Sequence, residues 1–230
     1  RAVLSSLGIA IGIAAMVSVI GISTSSQARV QEELSKLGTN LLTVTGGTDI
    51  VGQPAPLSRE ALSQIRRLPN VLQASSTGTI KDVFVFRNAE IDRSATGGLS
   101  VAAADLNLLQ ATGATLLFGN WLNDATAKYP VVVLGRTAAE RLGVQTPGTL
   151  VTLGEQQFAV AGVLDFSPLA PELDSMALIG EPIATELFGY DGSPSTIYER
   201  STDEAVAEVR GLLPPTINPQ APSEVKVSRP

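Results

Sequence analysis

The chain contains no cysteine and no histidine in its 230 residues. That double absence excludes a Ser-His-Asp triad, a cysteine nucleophile, any disulfide, and zinc sites built on thiolate or imidazole. The lack of cysteine says nothing of whether the compartment is oxidising. Lysine is scarce: Lys36, Lys81, Lys128 and Lys226 are the only candidates for a Ser-Lys dyad, and none lies in a nucleophile motif. No Gly-x4-Gly-Lys-Ser/Thr run occurs, so the chain cannot hydrolyse ATP by the P-loop route. Carboxylates do not fill the gap. Asp203 and Glu204 fall in the first turn of an expected helix, where they favour its dipole, and Asp105-x-Asn107 is too small a piece of a calcium loop. The expectation is a chain that is not an enzyme and holds no cofactor or metal of its own. A net charge of −6 argues against nucleic acid as a partner and gives no help in binding an anionic lipid surface.

What the chain does have is one long uncharged run. Arg1 is followed by apolar sequence from Ala2 to Ile22, and the next charge is Arg29. A hydrocarbon core about 30 Å thick needs about 20 apolar residues in a helix, so residues 1–23 read as a membrane-spanning helix. A cleaved signal peptide has an apolar stretch of only about 7–15 residues. Arg1 favours a cytoplasmic N-terminus by the positive-inside rule. Ser5, Gly8, Gly12 and Ala15 fall on one helical face, and Gly8 with Gly12 makes the Gly-xxx-Gly spacing that lets two helices approach closely in lipid. This face is expected to pack against another helix.

Residues 24–38 continue the helical pattern as a stalk. Val30, Leu34 and Leu37 recur at four and three, Arg29, Glu32, Glu33 and Lys36 lie off that stripe, and Gly38 supplies a C-cap. The stripe is the candidate for coupling membrane to ectodomain.

Beyond Gly38 strands and helices alternate. Strands are expected at Leu41–Thr45, Val71–Ser75, Ile80–Phe86, Leu99–Ala104, Pro130–Leu134, Met176–Ile179, Ser195–Glu199 and Val225–Val227. Thr149–Leu153 and Gln157–Leu164 read as a hairpin whose Gly154-Glu155 suits a type II′ turn. Helices are expected from Ser58 to Leu68, capped by Ser58, at Leu106–Ala111, at Arg136–Leu142 closed by Gly143, and at Pro182–Phe188. A last one, with Ser201 and Glu204 as a capping box, ends before Pro214-Pro215. The pattern predicts an α+β chain with a smaller β-rich domain inserted into a discontinuous one.

These residues carry a resemblance. Leu7-Gly8-Ile9-Ala10-Ile11-Gly12-Ile13, then Leu37-Gly38-Thr39-Asn40-Leu41-Leu42-Thr43-Val44, resembles the opening of the MacB-like (FtsX-like) permeases of ABC transporters. The match continues through Leu68-Pro69-Asn70-Val71, Val131-Val132-Val133-Leu134-Gly135 and Phe158-Ala159-Val160-Ala161-Gly162-Val163-Leu164. The resemblance implies a first membrane helix (1–23), a stalk helix (24–38) and a ferredoxin-like α/β Porter-type subdomain (39–113 and 176–230). Within the latter it implies an inserted β-rich Sabre-type subdomain at 114–175. It also implies a segment of a longer chain with three further spans, set in the cell membrane with its large domain extracytoplasmic. The expected partners are a cytoplasmic ATPase that binds ATP and magnesium, a second permease copy or homologous permease, and an extracytoplasmic adaptor or effector. The insert and the Asp165–Ser175 connection look short for docking an adaptor. The expected function is mechanotransmission, with cytoplasmic ATP hydrolysis driving export through ectodomain movement. The alternative is an anchored ectodomain that signals to or activates a partner such as a cell-wall hydrolase. Phe84, Phe86, Trp121 and Tyr129 are its candidate contact residues, although aromatics on strands are more often core.

Overall fold

The computed structural model describes residues 40–47, 57–88, 90–91 and 97–230. Residues 40–230 form one compact unit. Among the described residues eleven strands make a single mixed sheet: β1 (Leu41–Gly46), β2 (Val71–Thr79), β3 (Val85–Phe86), β4 (Ser100–Ala104), β5 (Leu116–Gly119), β6 (Val131–Leu134), β7 (Leu150–Leu153), β8 (Gln156–Leu164), β9 (Met176–Gly180), β10 (Thr196–Ser201) and β11 (Val225–Ser228). Their order is β11-β1-β10-β2-β4-β9-β6-β8-β7-β3, with β5 also on β8. Among the described residues only β4 with β9 and β6 with β8 pair in parallel. The helices are α1 (Ala61–Ile65), α2 (Leu108–Thr112), α3 (Arg136–Leu142), α4 (Glu181–Phe188) and α5 (Val206–Ile217). Among the described residues no helix is long and apolar enough to cross a membrane, and the expected span and stalk lie outside the described residues.

The period of two along each strand decides which residues face which layer. In β4, Val101 and Ala103 join a core with α3 and α4, while Ala102 and Ala104 join a second core with α2. Strand β9 splits likewise, Ala177 and Ile179 against Leu178. A third core lies between β1, β2, β10, β11 and the helices α1 and α5, with Leu42, Val44, Ile65, Ile197, Val209 and Leu213 among its members. Burial on both faces explains the near-continuous apolar runs such as Val131–Leu134.

Several expectations hold at residue level. Helix α3 has the expected bounds, closed by Gly143 at φ +64°, a left-handed cap that costs glycine nothing. The β7–β8 hairpin turns at Gly154, φ +58°, and Glu155 has no positive φ, which excludes a type I′ turn.

Others are corrected. The first expected helix is reduced to the five residues of α1, and Ser58 contributes its backbone carbonyl to Ala61 N, with no side-chain cap. The strand expected over Ile80–Phe86 survives only as β3, because Asp82 takes φ +60° and breaks the extended run. Ser201 does not cap the last helix. It ends β10, where its N–H donates to the Asn40 carbonyl, and the helix begins at Val206. Nor do Pro214 and Pro215 stop that helix; both lie inside it. Leu213 and Ile217 on its buried stripe gain about 1.5–3 kcal/mol each on burial, of the same order as the roughly 3 kcal/mol cost of an interior proline. The last turn is further held by Thr216 Oγ1 donating to Leu212 O and by Asn218 N donating to Pro214 O. Strand β5 was not anticipated; its four residues carry too little pattern.

Candidate functional site

Every residue singled out from the sequence for helix packing or coupling, namely Ser5, Gly8, Gly12, Ala15, Val30, Leu34 and Leu37, lies outside the described residues. The folded unit starts at the next point of interest, Asn40, where the polypeptide enters the sheet.

Strand β1 starts at Leu41 between two antiparallel neighbours. Leu41 stands opposite Arg200 on one side, and Thr43 stands opposite Ser228 on the other. The entry of the chain and the end of β11 therefore lie side by side at one end of the sheet. Asn40 is fastened there three ways. Its Nδ2 donates to Ser201 O at 2.7 Å, its Oδ1 accepts from Arg200 Nη1 at 3.1 Å, and its carbonyl accepts from Ser201 N at 3.3 Å.

Successive residues of β10 point to opposite faces of the sheet. Arg200 lies on the α2 face, and its Nε donates to Ala111 O at 3.1 Å. Ala111 is in the last turn of α2, whose final carbonyls have no partner within the helix, and a cation there complements the helix end. Gly113, at φ +74°, closes α2 against the Arg200 guanidinium. Two residues earlier on the same face, buried Tyr198 donates its phenol proton to Glu172 Oε1 at 2.7 Å. Through Tyr198 and Arg200, β10 reaches segments from elsewhere in the chain.

Glu199 points the other way, opposite Leu42 and Ala74. It is fully buried, and neither carboxylate oxygen has a hydrogen-bond partner. Burial pushes its pKa up to about 7, only partly offset by the nearby Ser201 hydroxyl. Strands β1 and β2 beside it contain no titratable residue, and the charged residues of α1's C-terminal flank and of α5, Arg66, Arg67, Glu208 and Arg210, are all exposed.

Asp105, weighed above as a calcium-loop fragment, is committed otherwise. It pairs with Arg66 Nη2 at 2.8 Å and accepts from Ser75 Oγ and from Asn107 N. Asp203 and Glu204 are exposed in the turn before α5. The aromatic candidates do not form one surface property. Phe86 is buried, Trp121 donates its Nε1 proton to Leu106 O, and Phe84 and Tyr129 are exposed.

A cavity of about 700 Å³ opens among Thr79, Lys81, Tyr190, Asp191, Ser195 and Asn218. Its polar groups are largely occupied with one another. Ser195 Oγ accepts from Thr79 N, Tyr190 Oη donates to Ser193 O, and Asp191 accepts from Ser193 and pairs with Arg59 at 3.6 Å.

The Asn40–Arg200 contact was invisible in the sequence, since 160 positions separate its members and no local pattern pairs them. Glu199 left a faint signal: it shares the parity of Ile197 on a strand whose both faces prove to be buried.

The family described as the MacB-like periplasmic core domain matches residues 2–180. The macrolide export ATP-binding/permease protein MacB of Bdellovibrio bacteriovorus is 28% identical over 235 residues, covering 95% of this chain and 35% of that protein. The chain thus spans about a third of the length of the curated relatives it matches. The periplasmic region of MacB from Actinobacillus actinomycetemcomitans superposes with a TM-score of 0.65 at 14% identity, covering 87% of this chain and 94% of that one. The extracellular domain of the noncanonic ABC-type transporter YknZ from Gram-positive bacteria gives 0.62 at 15% identity, covering 83% and 100%.

Proposed function

Because the chain belongs to the MacB-like periplasmic core domain family, we propose that it is the first membrane helix and extracytoplasmic domain of an ABC-transporter permease. On this reading the parent protein sits in the cell membrane and works with a cytoplasmic ATPase and a second permease copy. The ATPase binds ATP and magnesium, since this chain has no P-loop. The ectodomain converts the ATPase cycle into movement that drives export of a substrate.

One observation carries the reading: the chain enters at β1 and leaves along β11, antiparallel neighbours with Thr43 opposite Ser228. A domain set between two consecutive spans needs its entry and exit together. The order β11-β1-β10-β2 also supports a ferredoxin-like Porter-type half, since these strands are the fourth, first, third and second of a β-α-β, β-α-β pair. A Sabre-type insert at 114–175, a span at 1–23 and a stalk at 24–38 complete the proposed organisation.

The test is affinity purification of the full-length parent protein from its native membranes in detergent. A stoichiometric P-loop ATPase with nucleotide hydrolysis in the eluate is the expected result. Its absence from folded, full-length protein would overturn the transporter reading. Replacing Gly8 and Gly12 together with leucine is expected to lower substrate transport at least tenfold while ATP hydrolysis continues, because the wider side chains prevent close helix approach. Unchanged coupling in that variant would remove the helix-packing role.

A further inference from the structure

Arg200 is placed to do more than cap a helix. Its planar guanidinium offers donors in a fixed fork, and here Nε and Nη1 are directed to two different parts of the fold: Ala111 O at 3.1 Å and Asn40 Oδ1 at 3.1 Å. Asn40 is the residue at which the chain enters the folded unit. Ala111 lies on α2, which runs through Gly113 and Ala114 into β5, a strand whose sheet partner is β8. Among the described residues the backbone ladder from β1 leads to β10 and β11, and Leu41 packs in one core with Leu108 and Ala111 of α2. The guanidinium adds a directional polar link to that packing, from the entry point at the end of β1 and β10 to the segment that leads into the β5–β8 region. Hydrogen bonds from a charged donor are about twice as strong as neutral ones, which suits a link that must hold under displacement. Asn40 is itself locked to Ser201 through its Nδ2 and its carbonyl, so its side chain cannot swing away from Arg200 without breaking the end of β10.

We propose that Arg200 is the positioning residue that couples the chain entry to the rest of the ectodomain: by holding Asn40 and the C-terminal end of α2 in one fork, it makes a displacement arriving at Asn40 move α2 and β5. This rests on the mechanotransmission reading above and names the residue that would carry it.

The experiment is hydrogen exchange on the full-length permease reconstituted with its ATPase, with and without a non-hydrolysable ATP analogue. Wild type, Arg200→Ala, Arg200→Lys and Asn40→Ala are compared. In the wild type, the analogue is expected to change exchange rates both in β1 and over Leu108–Thr112. In Arg200→Ala the β1 response is expected to persist while that of α2 falls at least fivefold. Arg200→Lys should behave like the alanine variant, because one ammonium cannot present the same fork to two acceptors. Asn40→Ala separates coupling from capping, since it leaves Arg200 on Ala111 and removes the Asn40 side-chain bonds to Arg200 and Ser201. It is expected to lose the α2 response with the basal exchange of α2 unchanged. A full α2 response in Arg200→Ala or in Asn40→Ala would overturn the coupling role. No nucleotide response anywhere in residues 40–230 of the wild type would instead overturn the mechanotransmission reading, and this proposal with it.

Discussion

Replacing Phe158 with alanine is expected to lower the unfolding free energy by about 3–5 kcal/mol, the range for deleting a large buried aromatic ring. Phe158 has no exposed surface. It sits in β8 opposite Val151 of β7, and its ring stacks on that of Phe188 at a centroid distance of 6.0 Å and 19° between planes. The contact ties β8 to the end of α4, the helix that leads back toward β10. Truncation loses the transfer energy of the ring and leaves a cavity, because Leu153, Val160 and their neighbours are held by strand pairing and cannot close in. Urea unfolding of the chain in detergent, followed by circular dichroism, would measure it. Phe188 is only partly buried, so its alanine variant should cost less. A loss below about 1 kcal/mol for Phe158 would mean that the ring does not span the β8–α4 interface as described.

The second large effect concerns Glu199 and depends on pH. A glutamate in the unfolded chain titrates near 4.5, whereas burial in the folded protein pushes Glu199 up to about 7. Below 4.5 both states hold the proton and the site is neutral to stability. Between 4.5 and 7 the folded state keeps a proton that the unfolded state has released, so stability falls as pH rises. Above 7 the loss is complete, and at about 1.4 kcal/mol per pH unit it amounts to about 3 kcal/mol. Glu199→Gln copies the protonated form. It is expected to match the wild type near pH 4.5 and to exceed it by up to about 3 kcal/mol at pH 8. The difference between the two stability curves is the useful quantity. Burial also raises the pKa of Glu181 and of Asp174, and those groups add slope to both proteins alike. Parallel curves across pH 4.5–8 would refute the account of a buried carboxylate without partners.

Local chemistry explains why much of the ectodomain could be read in advance. Arg136–Leu142 carries its own stop signal in Gly143, Gly154 marks its own turn, and Met176–Ile179 is apolar enough to demand burial. Two of the misreadings share a cause. Ser201 and Glu204 form a capping box on paper, yet Asn40, 161 positions earlier in the chain, claims Ser201 for the sheet. Pro214-Pro215 ends a helix on paper, yet the core holds Leu213 and Ile217 in helical positions on both sides of it. In each case a tertiary contact of similar or larger energy overrode the local preference.

The sequence by itself determined the α+β class, the order of most elements, the exclusion of thiol, imidazole and P-loop chemistry, and the family, because these depend on which residues are present and on patterns a few positions long. The tertiary structure alone decided that β11, β1, β10 and β2 lie side by side. It alone placed Glu199 without a partner beneath α1 and α5, and brought Arg200 to Asn40 and Ala111 at once. Those facts depend on contacts between residues up to 185 positions apart, as between Thr43 and Ser228. No local periodicity encodes them; they follow from the burial of three cores at once and from backbone groups that must find partners when water is excluded.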